Sequence, residues 1–193
     1  GIDFRRYVVQ EGNTYRLLPI DRGNLQDDLV DTEIMYDNMM NKFSFRELDN
    51  PKVYYSEDYR NFVLNHRSSF NTLAEALIVK NETEKAREVL NRSLEVMPDK
   101  SLRYDYSNVQ TASLLFQIDE NDKALDIAEK LGKSSIGYLE YYVNMDSSPA
   151  NEVQKHMTIL SLSSRMLKQH GQDELAAEIE TSFLDYYGIF NAQ

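Results

Sequence analysis

Between Ser69 and Pro98 the chain reads "SFNTLAEALIVKNETEKAREVLNRSLEVMP", and its small and apolar residues recur at intervals that a pair of packed helices accommodates. Phe70, Leu73, Ala74 and Leu77 follow the three-and-four spacing of one helical face, Asn81-Glu82-Thr83 interrupts it, and Ala86, Leu90 and Ser93 resume it before Pro98 stops the run. The spacing predicts two short amphipathic helices joined by a turn. Ala74 and Ala86 are expected where the helices cross closely, with Phe70, Leu73, Leu77 and Leu90 filling the space around them. A single hairpin cannot cover its own apolar face, so further hairpins must complete the core.

The pattern returns beyond Pro98. In "YSNVQTASLLFQIDENDKALDIAEKLG", Val109, Ala112 and Leu115 share one face, Asp119 to Asp122 form a polar turn, and Ala124, Ala128 and Leu131 share the next face. Ala86 and Ala124 lie 38 residues apart, four beyond the 34-residue tetratricopeptide period, and the connection after Pro98 accommodates the excess. Asn108 and Thr111 stand where larger apolar residues are usual, which puts the first helix of this copy in question. A third, less regular pair is expected: Ser148 and Pro149 as cap and first-turn residue, then Val153, Met157, Leu160 and Leu167, a break at Gly171, and Leu175, Ala176, Ile179 and Phe183. Between the copies, "SSIGYLEYYVNM" (134–145) places Ile136, Leu139, Tyr142 and Val143 at helical spacing.

Ahead of the repeats, "FRRYVV" and "TYRLLPI" read as two strands of a hairpin around Gln10-Glu11-Gly12-Asn13, the second ending at or before Pro19. After a polar stretch from Asp21 to Asp31, "DTEIMYDNMMNKF" predicts a short helix capped by Asp31 or Thr32, with Met35, Tyr36, Met39, Met40 and Phe43 on its inner face. Pro51 marks a loop, and Ser56 is the expected cap of the first long helix. The fold expected is mainly α: tetratricopeptide-like hairpins in an α-α superhelix over 56–193, with residues 1–55 forming a β-hairpin and helix cap packed on the repeats.

The chemistry available to the 193-residue chain is narrow. The chain has no cysteine, which removes disulfides, zinc thiolates and cysteine nucleophiles. A net charge of −11 repels phosphate backbones and anionic lipid surfaces, so nucleic acid is not an expected partner. No apolar run approaches the ~20 residues that span a bilayer, and no signal peptide is evident at a start, "GIDFRRYVVQEG", that reads as a piece of something longer. His66, His156 and His170 lack metal-ligand spacing. The adjacent acids Asp27-Asp28 and Glu57-Asp58 do not supply two carboxylates facing a sugar across roughly 5 to 9.5 Å. The glycines Gly12, Gly23, Gly132, Gly137, Gly171 and Gly188 are scattered singly, so no phosphate loop is formed. Neither a catalytic group, a cofactor nor a metal is expected. Tyr104, Tyr106, Tyr138, Tyr141 and Tyr142 either form a ligand platform or pack between helices with their hydroxyls in water.

The phrases "QEGNTYRLLPI", "DTEIMYDNMMNKF", "NPKVYYSEDYRNFVLNHRSSFNTLAEALI" and "KAREVLNRSLEVMPD" cover most of residues 7–99. With them the chain resembles the C-terminal soluble region of a family of multi-spanning membrane proteins of Bacteroidetes, similar to protein O-mannosyltransferases. The resemblance implies a parent whose membrane region moves a sugar from a lipid carrier to protein, with this domain appended at the periplasmic face. The family's catalytic acids belong to that membrane region, so none is carried over.

The function expected is therefore a non-catalytic module binding a protein or peptide segment, or the membrane region of its own parent, with the membrane reached only through that parent. The alternative is a glycan-binding helical-repeat domain of a nutrient-uptake system, disfavoured by the absence of tryptophan and the short chain. In the repeat frame a peptide groove would be lined by Asn71, Glu75 and Ile78 from the first hairpin and by Tyr106, Val109, Ser113 and Phe116 from the second. Tetratricopeptide proteins that clamp a terminal carboxylate place a lysine and an asparagine where Asn71 and Glu75 stand, so Glu75 favours an internal segment over a chain terminus.

Overall fold

A computed structural model describes residues 4–21 and 29–191, and the described chain is mainly helical, with 69% helix and one small antiparallel sheet. Asp27, Asp28 and Gly23 lie outside the described residues, as do the side chains of Glu57 and Asp58. The chain forms two compact units, Gly1–Arg103 and Tyr104–Gln193. The first holds both the N-terminal segment and the first helical hairpin.

In the first unit, a single 3-10 turn spans Phe4–Tyr7 where a strand was expected to begin. Strand β1 is Val8–Gln10, and it pairs antiparallel with β2, Tyr15–Leu17, in the register Val9 to Arg16. The Leu18 amide donates to the Tyr7 carbonyl just past the strands, where Pro19 cannot continue a ladder. Gly12 has φ +154°, and a Cβ there would meet the Phe43 ring at 2.8 Å, so both its dihedral and its contact call for glycine.

Helix α1, Thr32–Asp37, starts under the Asp31 side chain, which accepts from the Ile34 amide at 3.0 Å. It does not run on to Phe43 as one regular helix. Asn38–Lys42 widens into a π turn, so Met35 and Met39 are buried while Met40 is only half-buried. The segment is fastened to the first hairpin by side chains: Tyr36 Oη donates to Glu88, Lys80 Nζ donates to Thr32 Oγ1 at 3.0 Å, and the Phe45 ring packs on Phe70 at 5.3 Å.

That hairpin consists of α2, Glu57–Val79, and α3, Thr83–Val96. Ser56 sits at the start of α2 without donating or accepting a side-chain cap bond. Ala74 and Ala86 have no exposed surface, as the crossing of two close helices requires, and Phe70, Leu73, Leu77 and Leu90 are buried around them. Below α3 the chain turns at Pro98, and the buried Arg67 side chain donates to the carbonyls of Met97, Leu102 and Arg103.

The second unit comprises α4, Tyr106–Gln117; α5, Asn121–Val143; α6, Ala150–Gln169; and α7, Asp173–Asn191. Asn108 explains why the second copy departs from the apolar pattern. It belongs to a capping box in which the Asp105 side chain accepts from Ser107 N and the Asn108 side chain accepts from Asp105 N. Residues 134–143 do not make a separate helix but prolong α5 to Val143. Pro149 takes the cap position of α6, one residue later than expected, and Ser148 Oγ instead donates to the Tyr142 carbonyl.

The three hairpins share one turn. Asn81, Asp119 and Gly171 have φ of 62°, 63° and 71°, and the next residue's amide reaches back to a leucine carbonyl: Glu82 to Leu77, Glu120 to Leu115, Gln172 to Leu167. This is the left-handed closure that satisfies the last carbonyls of a helix. Four residues after Glu82, Glu120 and Gln172 come Ala86, Ala124 and Ala176, all wholly buried. The backbone repeats at intervals of 38 and 52 residues even where the side chains have drifted.

Candidate functional site: an apolar cleft in the last hairpin

The seven residues expected to line a groove fall in both units. On α2, Asn71 is wholly buried, Glu75 is exposed and Ile78 is half-buried. On α4, Tyr106 is 52% exposed and Ser113 half-buried, but Val109 and Phe116 are buried, the latter with its ring stacked on His170 at 4.4 Å between centroids. The exposed members are therefore Glu75 and Tyr106, while Asn71, Val109 and Phe116 face the interior.

A concavity of the second unit lies elsewhere, at the open end of the α6–α7 hairpin opposite the Gly171 turn. It encloses about 650 Å³, within the range of ligand clefts. Val153, Met157 and Ser161 rise at four-residue intervals along α6 as one wall. Phe183, Tyr187 and Phe190 form the other on α7, and Met145 to Ser148 close one end. Phe183 and Tyr187 stack with centroids 5.8 Å apart, and Tyr187 remains 55% exposed. The adjacent α7 residue Leu184 is 59% exposed, so the aromatic wall continues onto an open apolar face.

The repeat shows how the side chains of this hairpin differ from those of the earlier two. Position for position, Leu73 and Thr111 of the earlier hairpins become Ser163, and Leu90 and Ala128 become Glu180. Ser161, Ser163 and Ser164 give α6 a small, polar middle, and Glu180 leaves the interior to meet Lys168 Nζ at 2.5 Å. A second hollow of about 270 Å³ lies beside this ion pair and shares Ser161 and Phe183 with the main cleft. Of these residues Ser161 lines the main cleft, Ser164 and Glu180 line the second hollow, and Ser163 is wholly buried. The serine run "SLSS" (161–164) and Glu180 carry this change in the sequence.

Charge at the cleft has one sign. Asp146 is the only charged side chain in the described lining. The neighbouring Tyr186 hydroxyl is held above its ordinary pKa by burial and by the nearby Glu140 and Asp185 carboxylates. On the far side of α6, His156 is buried with its ring stacked on Tyr138 at 4.5 Å and Nδ1 3.2 Å from Ser135 Oγ. Burial, with Lys155 beside it, depresses its pKa to about 4, so it is neutral at pH 7 and serves packing. His66 is half-buried, with Nδ1 2.7 Å from Asn13 Nδ2, and burial lowers its pKa too. Among the described residues no three His, Asp or Glu side chains gather as a metal-binding group, and no helix is long and apolar enough to cross a membrane.

Comparison with protein-family models, with characterised proteins and with solved structures brings no match.

Proposed function

We propose that the chain is a non-catalytic module of tetratricopeptide-like hairpins that holds a polypeptide segment. The observation that carries this reading is the open cleft of about 650 Å³ in the last hairpin, walled by methionine and aromatic side chains that continue onto exposed Leu184. Apolar patches that stay open beside a packed core mark sites of association. The turn repeated at Asn81, Asp119 and Gly171 and the buried alanines that follow it support the tetratricopeptide part of the proposal. Selection of peptides from a random library on the intact chain tests it. Selected ligands are expected to slow hydrogen exchange over 150–162 and 183–191. Ligands that protect neither segment, or that bind Tyr187→Asp as well as the wild type, would refute the assignment.

The parent is proposed from the phrases quoted for residues 7–99 alone: a membrane glycosyltransferase-like protein carrying this module at its periplasmic face. A parent gene encoding several apolar spans ahead of Gly1 is the expected finding, and one encoding none ends that part of the proposal. Tyr141, 63% exposed on α5, favours a second reading, a glycan platform. It requires oligosaccharide binding that Tyr141→Ala removes.

A further inference from the structure

The repeat supplies an internal precedent for what fills the cleft. At the 52-residue interval relating the last two hairpins, Phe183, Tyr187 and Phe190 stand where α5 has Leu131, Ser135 and Tyr138. Those α5 residues are where α6 seats itself: Leu131 and Ser135 are 1% exposed, Ser135 Oγ meets His156, and the Tyr138 ring lies flat against the His156 imidazole. In the second hairpin, then, an amphipathic helix packs on this surface, burying Leu131 and Ser135 and one face of the Tyr138 ring. In the last hairpin no described helix covers it.

Charge narrows the occupant. Helix α6 carries Lys155, Arg165 and Lys168 against the single acid Glu152, and its Lys168 already meets Glu180 of α7, so α7 takes a cationic neighbour. Helix α7 carries Asp173, Glu174, Glu178, Glu180 and Asp185 and no base. Residues 104–193 hold fourteen acidic and six basic side chains, so this unit contributes −8 of the chain's −11. A second copy offering its own α7 would set acid against acid. The α6 wall runs from Ala150 to Leu162, about 18 Å at 1.5 Å per residue, or roughly three helical turns.

We infer that the cleft receives an amphipathic α-helix of another polypeptide, with an apolar stripe of about three turns flanked by Lys and Arg, seated on α7 as α6 is seated on α5. The inference rests on the reading of the chain as a segment-binding module and adds the conformation and charge of the segment. The apolar stripe replaces water over Met157, Phe183, Tyr187 and Phe190, while the flanking cations meet Asp146 at the rim and the acidic field of this unit.

The test uses the intact chain and four labelled synthetic peptides of about 18 residues: an amphipathic Leu/Lys helix, the same composition scrambled so that leucines surround the helix, a Leu/Glu counterpart, and a proline-interrupted Leu/Lys version. Fluorescence anisotropy is read at 0.15 M salt. The amphipathic Leu/Lys helix is expected to bind at least tenfold more tightly than the other three. Leu184→Lys with Tyr187→Lys, both at exposed positions, is expected to weaken it at least tenfold with the circular dichroism unchanged. Equal binding of the scrambled peptide, or no effect of the double substitution, overturns the inference. Preference for the proline-interrupted peptide, lost in the double variant, overturns the helical occupant while leaving the cleft as the binding site. Self-association of the wild type abolished by the double substitution would assign the cleft to a second copy instead.

Discussion

Replacing Arg67 by methionine should destabilise the first unit by about 3–5 kcal/mol, because the guanidinium is the donor for a loop that has no ladder of its own. Arg67 is 2% exposed, and its Nη1 donates to the Arg103 carbonyl at 3.0 Å while Nη2 donates to those of Met97 and Leu102 at 3.2 and 2.5 Å. Each buried carbonyl left without a donor costs roughly 1–3 kcal/mol, and methionine retains much of the aliphatic packing, so the loss isolates the polar contribution. The three penalties do not add in full, since the 97–103 connection relaxes once it is released. Lysine, with one compact ammonium in place of a planar fork, reaches fewer of the three oxygens and should fall between, at about 1–3 kcal/mol. Urea unfolding followed by far-ultraviolet circular dichroism measures this as a shift in midpoint at unchanged slope. Arg67→Met within about 0.5 kcal/mol of the wild type would show that the three bonds contribute nothing net, and the account of this loop would fail.

Three smaller perturbations test other parts of the structure. His156 takes a proton at about 4 in the folded state against an ordinary 6.5, so the unfolded chain binds more protons between these values. Its contribution is complete above pH 6.5 and is lost as the pH falls towards 4, by ~3 kcal/mol in all; His156→Gln should flatten the stability profile between pH 7 and 5. Asp119→Gly should stabilise by roughly 0.5–1 kcal/mol and Gly171→Ala should cost about 1 kcal/mol, because both positions hold positive φ; thermal midpoints moving the opposite way would contradict the shared turn. Ser163 Oγ is buried without a hydrogen-bond partner, so Ser163→Ala should raise stability by about 1 kcal/mol in a denaturant titration, and a loss would mean the hydroxyl is satisfied.

The hairpins were legible because Ala74, Ala86, Ala112 and Ala124 report helix crossings directly: only a small side chain fits there, and periodicity carries that constraint into the sequence. The turns at Asn81 and Asp119 were legible for a similar local reason, since both residue types tolerate left-handed backbone. Arg67 was not. Nothing in "NHRSSF" distinguishes an arginine that caps carbonyls thirty or more residues away from one that faces water. The π turn at Asn38–Lys42 escaped because its methionines and asparagines fit a regular helix equally well, and Asn108 was read as a defect in an apolar stripe when it is a cap. The cleft was missed for a different reason. It is a hollow between Ser161 on one helix and Phe183 and Tyr187 on the next, and such volume becomes visible only when two helices are placed side by side.

That missing volume has a dynamic consequence, which gives the last prediction. Helix α3 buries Ala86, Val89, Leu90, Ser93 and Val96, whereas α7, five residues longer, buries only Ala176 and Ile179, both in its first half. From Phe183 onward α7 has no fully buried residue, and the Phe183–Tyr187 stack lies within the helix and fastens it to no neighbour. Local opening free energy follows buried apolar contact, so amides of 184–191 should exchange with solvent far faster than those of 86–93, by at least about a hundredfold if the opening energies differ by ~3 kcal/mol. A segment bound in the cleft adds the absent contacts, and its free energy should appear as slowed exchange in this outer half while 86–93 is unchanged. Replacing Ser161 with leucine would supply part of the same volume from within, protecting 184–191 and weakening capture of the segment together. Equal protection of the two helices in the free protein would mean that the open end is already closed, and the link drawn here between sparse packing and binding would not stand.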